Sequence, residues 1–332
     1  MAAPRFATPV LRGKAPVVVV ATALSQKLCS RRRIVRAATP VTGSSAEAAQ
    51  GTSGTGKVAE LVDGPTVVIT GASQGVGRAA SQRFAKEGYN VVLAARSQSN
   101  LQKAADLSRV ALQSGREVLA VECDITSEDS VGKLRDVVKA RFRDVRVLVC
   151  NAGVCMTGNF LAHSAEDFQA QLNVNFLGHV STVQAFLPLL AEQGVANGVK
   201  PTVCFVNSFG ARVPLPNMTA YCAAKYALQG FADSLRLESP DVHIATVHPG
   251  VIRSDFRSRA AWRGKAGERG KNNIDNLLDG KTPATNLVTQ SVEEVAEAVF
   301  SAVKRQNNET VVGPAFQAML SGFGLAKAFG FA

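Results

Sequence analysis

Tyr221 and Lys225 stand four residues apart in the run Tyr-Cys-Ala-Ala-Lys-Tyr-Ala. On a helix the two side chains share one face, one turn apart. An ammonium beside a phenol favours the phenolate and lowers a pKa that is otherwise about 10. A phenol tuned in this way exchanges protons with a substrate near neutrality, as general acid or base. The same spacing also arises when a tyrosine simply packs beside a lysine stem. The pair therefore takes its meaning from what else lies along the chain. Ser208 is the first such feature, a hydroxyl at the end of the apolar run Pro201–Asn207.

The elements that must position these groups are legible in order. Thr66–Thr70 is a β-branched run that ends in the loop Thr70-Gly71-Ala72-Ser73-Gln74-Gly75-Val76-Gly77, and a helical pattern begins near Gly75. Glycines here permit a tight turn, close backbone approach to a pyrophosphate and close helix–strand packing, with the helix N-terminus facing the anion. The spacing Gly-x3-Gly-x-Gly differs from the commoner G-x-G-x-x-G. Asn90–Ala95 reads as a second buried strand, followed directly by Arg96. At this place, about twenty residues past the loop, an acid would bind the ribose hydroxyls of NAD and an arginine the 2′-phosphate of NADP. No acid occurs between Glu87 and Asp106. A guanidinium suits a phosphate, with Ser73 and Ser97 as helpers, so NADP(H) is the expected cofactor.

A helix over 99–113, a strand Glu117–Glu122 and the segment Cys123-Asp124-Ile125-Thr126 follow. Asp124 is placed either to reach an adenine or to begin the cap of the next helix. Val145–Cys150 is a further strand, ending in Asn151-Ala152-Gly153. A helix starting at Ser164 runs on toward Leu190 through Asn175, and an asparagine inside a helix is mildly unfavourable. Tyr221 opens a helix to about Ser239, and His243–Val247 is a strand before Pro249-Gly250-Val251-Ile252-Arg253-Ser254. Ser291 and Glu294 make a capping box for the last clear helix, and Thr310–Val312 is a seventh strand. Alternating buried strands and helices predict an α/β fold: one domain, a doubly wound parallel sheet of about seven strands with helices on both faces and ligands at the carboxyl ends.

Composition excludes other classes. The net charge of +11 is unevenly placed: residues 1–46 carry eight Lys or Arg and no acid, and the remainder has 29 basic and 26 acidic residues. A nucleic-acid-binding protein is therefore not expected. The acid-free tail, rich in Ala, Ser, Thr and Arg, has the composition of an organelle transit peptide. Ile34-Val35-Arg36-Ala37-Ala38 resembles a chloroplast processing site, with the mitochondrion as the alternative. Residues 1–60 are thus expected to be transit peptide and linker, and 61–332 the catalytic domain. The apolar stretch Ala15–Leu24 is too short to span a bilayer, and no transmembrane segment is expected. Five cysteines beyond the tail (123, 150, 155, 204, 222) lack metal or CxxC spacing and read as buried free thiols. The four histidines (163, 179, 243, 248) show no ligand pattern, and no metal site is expected.

Taken together, residues 65 to about 313 resemble the short-chain dehydrogenase/reductase family, with its Rossmann-type fold. Five motifs recur in order: TGxxxGxG at 70–77, Asn-Ala-Gly at 151–153, the helix asparagine Asn175, Ser208 with Tyr221 and Lys225, and Pro249-Gly250. That resemblance implies Tyr221 as catalytic acid and Ser208 as the group polarising a carbonyl. It implies that Lys225 binds the nicotinamide ribose and lowers the tyrosine pKa, and that Asn175 holds the water of a proton relay. The dinucleotide would lie along Gly71, Ser73, Gln74, Gly75, Val76, Gly77, Arg96, Asp124, Ile125, Asn151, Ala152, Gly153, Tyr221, Lys225, Pro249, Gly250, Ile252 and Ser254. Ser254 stands where the family usually has threonine, Cys150 where it often has asparagine, and Phe209 where small residues are common.

The substrate is then a small carbonyl compound or alcohol. A lipophilic ketone or aldehyde is the first reading. A plastid 3-oxoacyl-[acyl-carrier-protein] reductase and a non-catalytic NADP(H)-binding sensor or scaffold are the alternatives. A substrate lid is expected over about 255–290, where the polar, basic stretch Arg257–Lys281 surrounds Trp262 and reads as a solvated loop or as a surface for an anionic carrier. The C-terminal Phe316–Ala332 carries four phenylalanines and a single charge, Lys327. It reads as a pocket cap or subunit interface, with peripheral membrane contact as the further option. A homodimer or homotetramer is expected.

Overall fold

The computed structural model describes residues 61–254, 260–278 and 289–328. The tail read as a transit segment and the lid residues 255–259 and 279–288 lie outside the described residues. The first half consists of β1 (Val62–Thr70), α1 (Gly75–Lys86), β2 (Asn90–Ala95), α2 (Gln98–Val110), β3 (Val118–Glu122), α3 (Glu128–Arg141) and β4 (Phe142–Cys150). The second contains β5 (Met156–Gly158), α4 (Ala165–Leu172), α5 (Gly178–Asn197), β6 (Thr202–Val206), α6 (Thr219–Glu238) and β7 (His243–His248). It continues with β8 (Val251–Arg253), β9 (Ala261–Arg263), α7 (Gly264–Leu278), β10 (Thr289–Ser291), α8 (Val292–Lys304), β11 (Glu309–Val311) and α9 (Pro314–Ala328).

Seven strands form one sheet in the order β11-β7-β6-β4-β1-β2-β3, and every neighbouring pair runs parallel. This is the doubly wound architecture expected from the alternation of elements. Side chains alternate across a strand, so Val67 and Ile69 face one layer with Phe84, Leu101 and Phe300, whereas Val68 faces the other with Leu134, Phe186 and Leu228. Helices cover both faces, which is why all residues of β2, β6 and β7 are buried and the strands are predominantly apolar. Strand order reverses between β1 and β4, and a crevice opens there at the carboxyl ends.

Three local expectations are corrected. The strand expected from Thr66 begins upstream at Val62 and passes through Pro65 with a register shift. The single helix expected from Ser164 to Leu190 is divided: Ser164 and Asp167 cap α4 reciprocally, a π turn occupies Asn173–Leu177, and α5 continues to Asn197. By length and composition Ala165–Asn197 could cross a membrane, but Val183, Phe186 and Leu190 are buried against the sheet. The stretch expected as a lid loop contains α7. Glycines at 264, 267 and 270 disfavour helix, so packing decides here. A Cβ on Gly267 would stand 2.9 Å from the Thr157 carbonyl oxygen and 3.1 Å from the Trp262 carbonyl carbon.

Phe84 ties α1 to α8. It is fully buried, with edge-on ring contacts to Tyr89 and Phe300 at 5.2 Å each. Phe84→Ala is expected to lower the unfolding free energy by about 3–5 kcal/mol, read as a reduced urea midpoint at unchanged m-value.

Candidate active site

The crevice is built first by backbone contacts. Gly71 takes φ +65°, and a Cβ there would stand 2.7 Å from the Ala152 Cα. A Cβ on Gly77 would lie 2.5 Å from both Asn151 Nδ2 and the Gly71 carbonyl oxygen. Those two glycines therefore let the loop after β1 close onto the end of β4. Asn151 locks the closure: its Nδ2 donates to the carbonyls of Thr70 (2.9 Å) and Gly71 (3.1 Å). The Thr70 hydroxyl accepts from the amides of Asn151 and Ala152 and donates to Val149 O. Gly75 differs, with φ +56° and open space where its Cβ would be. α1 starts there with no side-chain cap and no acid in its first turn, so its amide dipoles are uncompensated toward the crevice.

A cavity of about 780 Å3 runs along the strand ends. Gly71, Ser73, Gln74, Gly75, Val76, Arg96, Asp124, Ile125 and Asn151–Gly153 line one part of it. Asn175, Ser208, Tyr221 and Lys225 line the centre, and Pro249, Gly250, Ile252 and Ser254 the far side. Gly77 alone among the residues singled out from the sequence lies off the wall, packed beneath Asn151. Asp124 accepts from the Thr126 amide (2.9 Å) and hydroxyl (2.8 Å). Burial raises its pKa, but those bonds and the Arg96 charge outweigh it and hold the carboxyl below its ordinary range. The cap of α3 is Ser127, not Asp124.

At the centre, Asn175 sits fully buried in the π turn, the single-turn defect that recurs at functional sites. Its Oδ1 accepts from the Val154 amide at 3.1 Å, and its Nδ2 donates to Val154 O and Gln171 Oε1. Gly153 makes the space: a Cβ would lie 3.0 Å from Asn175 Oδ1 and 4.0 Å from Lys225 Nζ. Lys225 donates to Val206 O at 3.3 Å, and its Nζ is 5.9 Å from the Tyr221 ring centre. Ser208 Oγ accepts from the Gly210 amide and shares a hydrogen bond with Tyr221.

The electrostatics correct the expectation of an ammonium-acidified phenol. Burial pushes the Tyr221 phenol above its ordinary value and Cys155 adds to the rise, with the Ser208 hydrogen bond opposing. Burial also pushes Lys225 down to about 8. Loss of hydration disfavours the charged form of each. The tyrosine is thereby held as a proton donor.

The rest of the wall includes Phe316 from the expected pocket cap and Trp262 from the expected lid. Phe209 and Phe316 meet edge-on with centres 4.8 Å apart, and the Phe316 ring covers Gly250 so closely that no side chain fits there. Trp262 arrives because β9 pairs with β5, matching it to Thr157. Leu215, Met218, Met319 and Cys155 complete an apolar flank. Nothing in the sequence signalled a place on this wall for Leu215, Met218 or Cys155.

The chain matches the short chain dehydrogenase family over residues 65–263 and belongs to it. It is an oxidoreductase of that type. Among curated proteins it is 27% identical to the dehydrogenase/reductase SDR family protein 7-like of Drosophila melanogaster, across 77% of this chain and 74% of that one. It is 29% identical to 11-beta-hydroxysteroid dehydrogenase A of Sesamum indicum, across 76% and 69%. Identity to the probable oxidoreductase EphD of Mycobacterium bovis is 30% across 76% of this chain, but the match spans only 41% of that longer protein. Among solved structures, an alcohol dehydrogenase from Thermococcus sibiricus complexed with 5-hydroxy-NADP is 28% identical, with TM-score 0.62 over 76% of this chain and 97% of that one. A short chain dehydrogenase/reductase from Burkholderia phymatum in complex with NAD is 22% identical, with TM-score 0.71 over 82% and 96%.

The buried lysine makes stability depend on pH. Its ordinary pKa of 10.5 falls to about 8 on folding. Between those values the unfolded chain holds a proton that the folded chain has released, so this contribution to stability rises with pH. Below about pH 8 the burial penalty is complete, at about 3 kcal/mol. Lys225→Met is expected to be the more stable protein at pH 7 in urea unfolding, with the advantage vanishing toward pH 10. Parallel pH profiles for the two proteins would contradict this.

Proposed function

We propose that the protein is an NADPH-dependent carbonyl reductase, or the corresponding alcohol dehydrogenase, acting on a lipophilic ketone or aldehyde. The observation that carries this is the convergence of Asn175, Ser208, Tyr221 and Lys225 in one cavity with the glycine loop, beside an otherwise apolar flank. The residues fit a nicotinamide dinucleotide. The uncapped start of α1 and the open backbone at Gly75 suit a pyrophosphate. Arg96, on the wall at the end of β2, suits a 2′-phosphate. The likeness to an alcohol dehydrogenase solved with an NADP derivative supports the same cofactor.

A bound NADPH would supply the hydride to the carbonyl carbon. Tyr221 gives its phenolic proton to the carbonyl oxygen, and Ser208 donates a hydrogen bond to the charge developing there. Lys225 and Asn175, both beside Gly153, would orient the ribose and return a proton to the tyrosine. The product is the alcohol. The apolar flank of Trp262, Phe316, Met218 and Met319 supports a lipophilic substrate, as does the likeness to a hydroxysteroid dehydrogenase. The acyl-carrier alternative has less support: Arg263 is neutralised by Asp167 at 2.8 Å, and Glu268 and Asp275 interrupt the basic residues of α7. The acid-free tail supports import into a plastid.

Tyr221→Phe is expected to lower turnover by roughly 10²–10⁴-fold while NADPH binding survives, measured on a panel of ketones and aldehydes. Near-normal turnover would remove Tyr221 from its role, and NADPH binding without activity on any compound would favour the sensor reading. Arg96→Ala is expected to weaken NADPH binding by about 10–100-fold through loss of a charge-assisted phosphate contact. NADH binding should be little changed, and an equal loss for both cofactors would contradict the 2′-phosphate role.

A further inference from the structure

His248 is the last residue of β7 and is fully buried. Its Nδ1 lies 2.9 Å from the carbonyl oxygen of Ser208. A carbonyl only accepts, so Nδ1 carries the proton. The Ser208 peptide is held on both sides as well: the Asn207 amide donates to Val247 O at 2.8 Å and the Phe209 amide to Pro249 O at 2.9 Å. The Ala211 amide also donates to Ser208 O, at 3.0 Å. With the imidazole, both lone pairs of that carbonyl are engaged and the plane of the peptide that carries the serine hydroxyl is set.

The other side of the ring is not arranged for packing alone. Nε2 makes no hydrogen bond and faces Glu309 Oε1 of β11 at 3.5 Å. That carboxylate is itself paired with Arg212 Nε at 3.2 Å, just past the turn Phe209–Ala211. A neutral ring donating from Nδ1 turns a lone pair toward a carboxylate, an arrangement that costs free energy in a buried site. The charges facing the ring are Glu309, Arg212 and, from α6, Lys225. Burial, Arg212 and Lys225 hold its pKa below the ordinary value, while the Ser208 carbonyl and Glu309 act the other way. An apolar residue would fill the same space without that cost, but it would leave the Ser208 carbonyl without its second donor.

We propose that His248 is a positioning residue: its Nδ1–H clamps the Ser208 carbonyl and so aims the Ser208 hydroxyl at Tyr221 and the substrate oxygen. This rests on the role given to Ser208 above. His248→Asn keeps a donor near the position of Nδ1, and His248→Leu keeps none. Each is compared with the wild type and in a Ser208→Ala background, using the ketone turned over fastest in the panel. NADPH affinity and the thermal midpoint serve as controls.

His248→Leu is expected to lower kcat by about 10–100-fold, the scale of a small misplacement of a reacting group, with KM and NADPH affinity little changed. His248→Asn should recover most of kcat, and in the Ser208→Ala background His248→Leu should cost nothing further. A full loss in that background, or full kcat in His248→Leu, overturns the proposal. Undiminished kcat in Ser208→Ala alone instead sinks the role of Ser208 itself. If the Leu variant does not fold, nitrogen-15 spectra of the wild-type full chain decide, with the His248 signal identified by its loss in His248→Asn. The Nδ1–H tautomer is expected, and the Nε2–H tautomer overturns the proposal.

Discussion

A parallel sheet whose connections pass to opposite sides has one place where the loops leaving two paired strands diverge, and the backbone groups exposed there must find partners. In this protein the loops diverge after β1 and β4. Asn151 meets that need, with one amide bonded to two consecutive carbonyls of the glycine loop and Thr70 closing the circuit to β4. Buried amides and carbonyls without partners are expensive, so this clamp is as much a condition of folding as of function. It also draws the loop down onto β4, so that the start of α1 is left facing an open crevice.

The chemistry follows from the same enclosure. Burial at the centre of the cavity raises the tyrosine pKa and lowers that of the lysine. Each is a consequence of lost hydration rather than of attraction between the two. The protonated phenol shares a hydrogen bond with the Ser208 hydroxyl. The free-energy cost appears as a lysine that opposes folding near neutral pH.

Legibility in the sequence divided along the range of the contacts involved. The glycine loop, Asn151–Gly153 and Pro249–Gly250 were readable because backbone geometry confines those positions to few residue types within a short stretch. The strands were readable because both sheet faces are covered, leaving continuous β-branched runs such as Val67–Ile69. The capping box at Ser291 was readable for a similar reason, since it closes within four residues. By contrast, α7 depends on contact with Thr157 about a hundred residues away, against its own glycine content. The π turn at Asn175 depends on the backbone of Val154. The direction of the Tyr221 shift was misread because burial, unlike charge, is not written in a four-residue spacing.

That division also separates what is common in this fold from what is particular to this chain. Ser208 stands just past β6, Asn175 in the π turn and Tyr221 and Lys225 on α6, and hydrogen bonds to the backbone of Val154 and Val206 hold Asn175 and Lys225 toward the strand ends. Part of the apolar flank comes instead from segments added after the sheet is nearly complete: β9 with Trp262, and α9 with Phe316 and Met319. Phe316 packs on Gly250 and Phe209, thereby joining the C-terminal helix to the turn that follows β7 and to the residue after Ser208. A change of side chain on α9 therefore alters the shape of the pocket without touching the groups that transfer the proton, because the two depend on different parts of the chain. On the proposed function, selectivity would therefore depend in part on these late elements.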